Sequence, residues 1–394
     1  MPFHFIEIDG SIGEGGGQVL RNAVVYSALL RKPIKICNIR SSRPKPGLKQ
    51  QHLSGLRVAV DICGGVLDGD ILGSESISLD ITEENMDSKA HRVVSADIGT
   101  AGSICLLLQV AFPLMLYRND IKLNIRGGTD TTYAPIMDYF QHVFLKTLSK
   151  HCFGTNVDAD LTTHTRGYFP KGGGDVTFAL SKNIFNSKNL PIPAIQLTER
   201  GDIHLFKIQS FYGGHVPRHV AETMVHSASE HLRRHLPSTA DIENKVIRHT
   251  SAIGSGSGIW ITTETSTGCI LGGSAIGHPM ENPKVTGIKA ADEILHTVQS
   301  KGCVDDWLQD QLIIFMALAK GKSQIMTGSL TQHTTTAISV AEMMTDAKFH
   351  VEAMQTDVSC NDGVAYVRHS PRCSEPGYKE GRHLITCQGI GFHK

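Results

Sequence analysis

The chain has 394 residues, 40% of them hydrophobic, and its 38 basic and 38 acidic side chains give a formal net charge of zero. This length and composition suit one large or two globular domains, and the charge balance excludes a long electrostatic footprint on duplex nucleic acid, leaving local contacts such as an RNA end. No apolar run reaches the ~18 residues of a membrane span, the first nine residues read as a strand instead of a signal peptide, and nine cysteines without a Cys-x-x-Cys pair predict reduced thiols.

The first unit reads as strand, helix, strand, helix and two further strands. A glycine-rich loop at residues 9–17 precedes the first helix. Glycines there permit close approach of a phosphate, but taken singly the loop is better explained by turn geometry. A basic cluster at residues 40–49 follows the second strand and holds four cations and no acid. A solvated loop is the alternative interpretation of that cluster. The second helix is predicted from about Leu48 to Cys63, and strands at 66–72 and 76–81.

The same order of elements returns twice, which indicates a supersecondary repeat. The second copy has helices at 104–116 and 135–150, a strand at 121–125, and strands around Val157 and at 175–180. The third copy has helices at 304–319 and from about Thr335, with strands at 324–327, 349–354 and 383–387. If the copies pack around a pseudo-threefold axis, the loops at 40–49, 126–130 and 328–333 can converge.

Residues 196–302 interrupt this pattern with a strand, a long helix, a hairpin and a second helix, enough to fold as a unit. We therefore predict an α/β (α+β) fold. Its large domain, residues 1–195 plus 303–394, holds three repeated βα units of two helices on a small sheet each, near residues 1–90, 91–185 and 303–394. Residues 196–302 form an inserted smaller α/β domain. A polar stretch at 360–382 is predicted to be a flexible excursion.

One histidine stands out in the third copy, where a small-residue loop leads into a helix. Thr334, Thr335 and Thr336 are each suited to cap that helix, so His333 would face its N-terminus. Unpaired N–H groups and partial positive charge make a helix N-terminus suitable for phosphate. We hypothesise that His333 is a nucleophile that attacks a nucleotide phosphate. A loop histidine that only hydrogen-bonds nearby backbone is the alternative.

Several stretches of the chain resemble, in order and over nearly its whole length, those of RNA 3′-terminal phosphate cyclases. They are residues 14–21 (EGGGQVLR), Arg40 with Arg43, 46–48 with 51–55, 100–103 (TAGS), 166–174 (RGYFPKGGG), 309–312 (QDQL), 333–337 (HTTTA) and 387–391 (CQGIG). The chain resembles the catalytic, histidine-containing branch of that family. The resemblance implies that a histidine takes AMP from ATP, passes it to an RNA 3′-phosphate, and that the 2′-hydroxyl then closes a 2′,3′-cyclic phosphate with release of AMP. ATP as a substrate and Mg²⁺ or Mn²⁺ are implied with it.

The resemblance also implies roles for individual residues. His333 matches the nucleophile, and Glu14 matches a glutamate tied to the metal or the ATP phosphates. The positions matching ATP contacts, the last three of them on the adenosine side, are Gln109, Pro135, Trp307, Asp310 and Gln311. Tyrosine is usual where Trp307 stands, and both rings stack on adenine. The positions matching the surroundings of the phosphates or the RNA end are Arg21, Arg40, Arg43, Gln51 and His52.

Two alternatives come from other functional classes. A related cyclase-like branch comprises non-catalytic RNA-binding factors of ribosome biogenesis that lack the histidine, and an RNA-end-binding module with vestigial ATP binding is also conceivable. The expected partners are RNA 3′ ends bearing a phosphate, and ATP, with no membrane and no stable protein partner. We expect a nuclear (nucleoplasmic) protein, with the cytoplasm as the alternative.

Overall fold

The computed structural model describes residues 5–81, 93–118, 121–153, 159–180, 191–355 and 381–393. The strand predicted around Val157 and the excursion predicted at 360–382, apart from its last two residues, lie outside this part of the chain.

Three of the sheets are built on one plan. The elements of the first unit are β1 (Ile6–Asp9), α1 (Gly17–Leu30), β2 (Ile34–Cys37), α2 (Gln50–Cys63), β3 (Val66–Asp68) and β4 (Ile77–Asp80). They form a sheet of order β1-β2-β4-β3, in which β1 and β2 are parallel and the other pairs antiparallel.

The second unit repeats this order. Its elements are β5 (Val93–Asp97), α3 (Ile104–Met115), β6 (Lys122–Gly127), α4 (Met137–Tyr139), α5 (Leu145–Thr147), β7 (Ala159–Gly167) and β8 (Gly174–Leu180). Wider π-helical turns at Phe140–Phe144 and Leu148–Cys152 join α4 and α5 into one continuous segment. These strands run β5-β6-β8-β7, again with only β5 and β6 parallel among the four. A fifth strand from the stretch described below, Ala252–Ile253, adds in parallel to the outer edge of β7.

The third unit is divided by the stretch that follows its first strand. That strand is β9 (Gln196–Leu197). It pairs in parallel with a strand more than a hundred residues later, so that Gln196 lies opposite Gln324 and Leu197 opposite Ile325. Between them lie β10 (Ile203–Gly213), α6 (Arg218–His235), β11 (Asp241–His249), β12 (Ala252–Ile253), β13 (Gly256–Thr265), β14 (Ile270–Ile276) and α7 (Pro283–Gln299). The unit then resumes with α8 (Leu308–Leu318), β15 (Lys320–Thr327), α9 (Gln332–Met344), β16 (Lys348–Met354) and β17 (Arg382–Ile390). Its sheet order, β9-β15-β17-β16, matches the other two.

The intervening stretch has a sheet of its own, of order β11-β10-β13-β14, covered by α6 and α7. Its apolar cluster includes Phe206, Leu232 and Ile294, and is separate from the main core, where helices of all three units pack together. The ends of the stretch meet, because the Arg200 guanidinium donates to the carbonyl of Val298. The predicted α/β class is confirmed, and the predicted domain boundaries stay predictions.

Several predicted element boundaries were wrong, each for a local reason. Helix α9 begins at Gln332, not near Thr335, because the Thr331 hydroxyl accepts from Thr334 N–H at 3.2 Å and caps the helix. Helix α8 begins at Leu308 because Asp305 Oδ1 accepts the N–H groups of Trp307 and Leu308 at 3.0 and 2.9 Å. Strand β15 extends back to Lys320. Among the helices of the described ranges, none is both long and apolar enough to cross a membrane.

Candidate active site

His333 is the second residue of α9 and faces the glycine-rich loop between β1 and α1. Gln332 Nε2 donates to the Gly13 carbonyl at 2.9 Å, and the Thr336 hydroxyl accepts from Glu14 N–H at 3.1 Å. The approach is close: a Cβ placed on Gly13, whose φ is +60°, would lie 2.0 Å from Thr336 Oγ1. The third unit therefore fixes the start of α9 against the first unit.

Glu14 is the carboxylate nearest to His333. The distance from Glu14 Oε2 to His333 Nδ1 is 3.9 Å, Oε2 also accepts from Arg43 at 3.2 Å, and Oε1 accepts from Gln18 N–H at 2.9 Å. Burial works to raise the pKa of the Glu14 carboxyl, but His333, the Gln18 N–H, Arg21 and Arg43 together hold the pKa below its usual range. Glu14 is consequently an anion beside the imidazole at neutral pH.

Gln18 connects this pair to α8. Its Nε2 donates to Asp310 Oδ2 at 2.9 Å, while its Oε1 accepts from Arg21. Asp310 was predicted on the adenosine side of the nucleotide and Arg21 near its phosphates. Both hydrogen-bond the buried side-chain amide of Gln18. The structure thus brings Glu14, Arg21, Arg43, Asp310 and His333 into one cluster.

Gln51 and His52 lie at the start of α2, and His52 packs against Gly17, the first residue of α1. A Cβ on Gly17 would lie 2.7 Å from Arg21 Nη1 and 2.8 Å from His52 Nε2. Gln51 Oε1 accepts from Ser103 N–H at 3.3 Å, at the start of α3. The N-termini of α1, α2 and α9 therefore lie around the loop at residues 13–17, and we call the space between them the cleft. The N–H groups of a first helical turn favour an anion.

The pKa of His52 falls to about 3 because burial, Arg21, Arg40 and Lys49 all disfavour its charged form. Its Nδ1 accepts the Lys49 N–H at 3.2 Å, which leaves the proton on Nε2, the atom beside Gly17. His52 can therefore offer an N–H donor to a phosphate, but no charge.

We predict that the His52 ring stays neutral in the folded protein at about pH 5. Because its folded pKa lies below its ordinary value of 6.5, the stability it contributes is complete above pH 6.5 and is lost as the pH falls towards 3. Imidazole NMR shifts followed against pH test the first statement, and urea unfolding of wild type and His52→Gln across the same range tests the second. Titration of His52 with a midpoint near 6.5 would contradict both.

The two predicted arginines of the basic cluster behave differently. Arg40, with φ of +54°, donates through Nη1 to the carbonyls of Lys45 and Gly47 at 2.7 and 2.9 Å, so it organises its own loop. Arg43 reaches out of the loop to the Glu14 carbonyl at 2.7 Å. Arg43 is therefore the one of the two whose side chain meets the His333 cluster.

Asp305, which the sequence analysis did not single out, fixes the start of α8, the helix that carries the predicted adenosine-side residues Asp310 and Gln311 and follows Trp307. Asp305 Oδ1 accepts from Tyr139 OH at 2.5 Å as well as from Trp307 N–H, which ties the segment after Pro135 to the start of α8. The Trp307 indole N–H donates to Glu293, and Gln311 Nε2 donates to the Trp307 carbonyl at 2.5 Å. Trp307 is half-buried, which leaves part of its ring to meet a ligand.

Gln109 and Pro135 stand apart from the His333 cluster in the hydrogen bonds of the described residues. Gln109 is half-buried on α3, and Pro135 is buried before α4, which begins at Met137, two residues later than predicted.

The predicted convergence of loops is found between the first and third units, because Arg43 contacts Glu14 and Glu14 lies 3.9 Å from His333. The loop at 126–130 instead bonds within its own unit, Gly128 N–H to the Gly102 carbonyl and Thr129 N–H to that of Gly167.

Gln309 is a further residue whose placement the sequence analysis missed. It is fully buried, its Oε1 accepts from Thr334 Oγ1 at 2.9 Å, and its Nε2 donates to the Ser329 carbonyl at 3.1 Å. It therefore holds the turn that carries His333. A buried amide among apolar residues of α8 needs partners, and that signal was present in the sequence.

The described residues do not gather a metal centre by themselves. Within the described ranges, no group of three or more His, Cys, Asp or Glu side chains is placed to hold an ion. Both Glu14 oxygens already accept protein hydrogen bonds. The predicted contact of Glu14 with a metal ion stays a prediction.

The comparisons with known proteins agree on one family. The profile described as RNA 3′-terminal phosphate cyclase matches residues 12–351. A protein named RNA 3′-terminal phosphate cyclase from Drosophila melanogaster is 36% identical over 394 residues, covering 98% of this chain and 97% of its own. Proteins of the same name from Pyrobaculum aerophilum (32%, 99% of each chain) and Methanosarcina barkeri (38%, 88% and 96%) are also similar.

Proposed function

The chain belongs to the RNA 3′-terminal phosphate cyclase family, and we propose that it is an enzyme that converts an RNA 3′-terminal phosphate into a 2′,3′-cyclic phosphodiester at the expense of ATP, through a covalent AMP on His333. The observation that carries this proposal is the position of His333, at the N-terminus of α9, 3.9 Å from the Glu14 carboxylate and opposite the start of α1. The cleft beside it is bordered by N–H groups and by Arg21 and Arg43, which suits a polyphosphate.

In the first step, a neutral imidazole nitrogen attacks the α-phosphorus of ATP. Nδ1 faces Glu14 Oε2, so Nε2, on the other side of the ring, is the attacking atom. The Nε2–P bond forms as the bond from phosphorus to the bridging oxygen breaks, and diphosphate leaves. The resulting imidazolium keeps its Nδ1 proton, and the ionised Glu14 carboxylate stabilises its positive charge.

In the second step, an oxygen of the RNA 3′-phosphate attacks the same α-phosphorus, and the Nε2–P bond breaks. In the third, the neighbouring 2′-hydroxyl attacks the 3′-phosphorus, AMP departs with the electrons of the anhydride bond, and the hydroxyl proton passes to the AMP phosphate. The last step is intramolecular, so orientation gives it a large rate advantage. The arginines at the cleft hold phosphate oxygens throughout.

Mg²⁺ or Mn²⁺ is proposed to enter with ATP as part of the substrate complex. Gln109, Pro135, Trp307, Asp310 and Gln311 are proposed to hold the nucleotide. Buried Gln311 Oε1 accepts no hydrogen bond in the described part of the chain, so it has an acceptor to offer. A nuclear location stays a prediction.

The proposal is tested by following one label through the reaction. Incubation with α-labelled ATP and Mg²⁺ or Mn²⁺ should give an acid-labile covalent label on the protein, whereas γ-labelled ATP should give none. An added oligoribonucleotide with a 3′-phosphate should discharge the label as AMP and acquire a phosphatase-resistant 2′,3′-cyclic end. An unlabelled protein that still binds the RNA would instead favour a non-catalytic RNA-binding factor.

A further inference from the structure

Two large aromatic side chains project into solvent from neighbouring turns of the second unit. Tyr133 is 95% exposed and Phe169 is 78% exposed. Aromatic side chains of this size normally bury most of their surface, so two exposed rings on neighbouring turns point to a ligand.

The backbone holds both residues in place. Tyr133 has a φ of +61°, a conformation that bulky residues rarely adopt and that structures retain mostly at functional positions. Asp130 forms a parallel bridge with Tyr168, and Thr129 N–H donates to the Gly167 carbonyl at 3.0 Å. The turn that carries Tyr133 is therefore joined to the turn that carries Phe169.

A series of contacts connects the turn that carries Phe169 with the candidate active site. Gly172 lies against the loop at 99–103, since a Cβ there would be 2.3 Å from the Thr100 carbonyl oxygen. The other end of that loop reaches α2, where Ser103 N–H donates to Gln51 at 3.3 Å. A chain that leaves the cleft past Gln51 would cross this loop and reach the two rings.

Two exposed cations lie close to these turns. Lys171 is exposed two residues after Phe169, and the Arg126 side chain is 64% exposed at the end of β6, where it pairs with Asp175 at 3.7 Å. Single-stranded RNA is bound without regard to sequence by bases stacked on aromatic rings with cations along its phosphates. An anionic protein segment would use the cations but has no flat bases to stack, so the rings favour RNA.

We infer that Tyr133 and Phe169 form a stacking platform for bases of single-stranded RNA that precede the 3′-terminal phosphate, with Lys171 and Arg126 near its backbone. This inference deepens the proposed function and rests on it for the direction in which the RNA runs. The platform would bind RNA ends by structure instead of sequence, so an enzyme of this design would accept many RNAs with an unpaired 3′ segment.

The test compares the Tyr133→Ala, Phe169→Ala and double variants with Met280→Ala, which truncates an 89% exposed side chain between β14 and α7. Affinity for a fluorescent 12-nucleotide RNA with a 3′-phosphate is measured by anisotropy without ATP. Each single alanine variant should weaken binding about tenfold, since stacking is worth roughly 1–3 kcal/mol per base. Tyr133→Phe and Phe169→Tyr should restore wild-type affinity, and Met280→Ala should retain it.

A second measurement separates this inference from the proposed function. Formation of protein-bound AMP from ATP alone should be unchanged in all these variants. Unchanged RNA affinity in the double variant would overturn the platform, and so would a loss of AMP formation, which would place Tyr133 or Phe169 in the nucleotide site. Absence of protein-bound AMP in the wild type would overturn the proposed function while the anisotropy still decides on the platform.

Discussion

His333→Ala should abolish the covalent AMP label and reduce cyclisation by roughly three orders of magnitude or more, since removal of a nucleophile leaves only binding and orientation. The substitution removes the attacking nitrogen and leaves the capping hydroxyl of Thr331 and the Gln309 contacts with the turn in place. ATP and RNA should therefore still bind. The readout is acid-labile label on the protein and cyclic ends on the RNA.

The matched control is His350→Ala, which removes an exposed histidine from β16. It should leave both readouts unchanged, and the two variants should unfold at similar urea concentrations. Undiminished label on a folded His333→Ala protein would contradict the proposed mechanism, because no covalent AMP on another residue is part of it.

Arg166→Met should cost about 3–5 kcal/mol of the free energy of unfolding, the cost of breaking a buried ion pair from one side. Arg166 donates to Asp138 at 2.7 and 3.0 Å and to Asp130 at 3.3 Å, and the Asp130 side chain is fully buried. Burial raises the pKa of Asp130 and Arg166 opposes that rise, so the variant would leave two buried carboxylates without a cation. Urea unfolding measures the loss.

The penalty should also depend on pH. A carboxyl whose folded pKa is raised contributes stability that is complete below its ordinary value of 3.8 and is lost as the pH rises through the folded pKa. Without Arg166 that folded pKa rises further, so the variant should lose more stability at pH 8 than at pH 5. Adding Asp130→Asn and Asp138→Asn should recover part of it.

Arg126→Met is the control for this experiment, since it breaks an exposed pair with Asp175 at 3.7 Å. Exposed pairs are worth about 0–1 kcal/mol. Equal losses in Arg166→Met and Arg126→Met would refute the structural role assigned to Arg166.

The fold class followed from local patterns, and the errors arose where tertiary contacts decide. Apolar periodicity after Ala337 located α9, but four threonines compete to cap it, and contacts with Gln309 select Thr331. Strand β11 was missed because this edge strand is polar and mostly exposed, so its alternation is weak. Strand β9 was missed because a strand of two residues is too short to show alternation of apolar and polar side chains.

The site was predicted residue by residue from the family resemblance, while its connections were not predictable. Arg40 and Arg43 carry the same side chain in the same basic loop. Arg40 nevertheless hydrogen-bonds within that loop, whereas Arg43 donates to Glu14. Arg166 lies 36 and 28 residues from the carboxylates it neutralises, and no local pattern links residues so far apart. Long-range hydrogen bonds of this kind decide which of the predicted residues act together.

The separation of β9 from β15 has a consequence for the order of folding. The two strands belong side by side, and Ile195 N–H donates to Ser323 across 128 residues. Closing so long a loop from an unfolded chain is slow, because the chain loses conformational entropy before it gains any stabilising contact. If the intervening stretch collapses first on its own apolar cluster, the contact of Arg200 with Val298 brings its ends together and shortens the loop that remains. The third sheet, and with it the turn that carries His333, would then be among the last parts of the molecule to form.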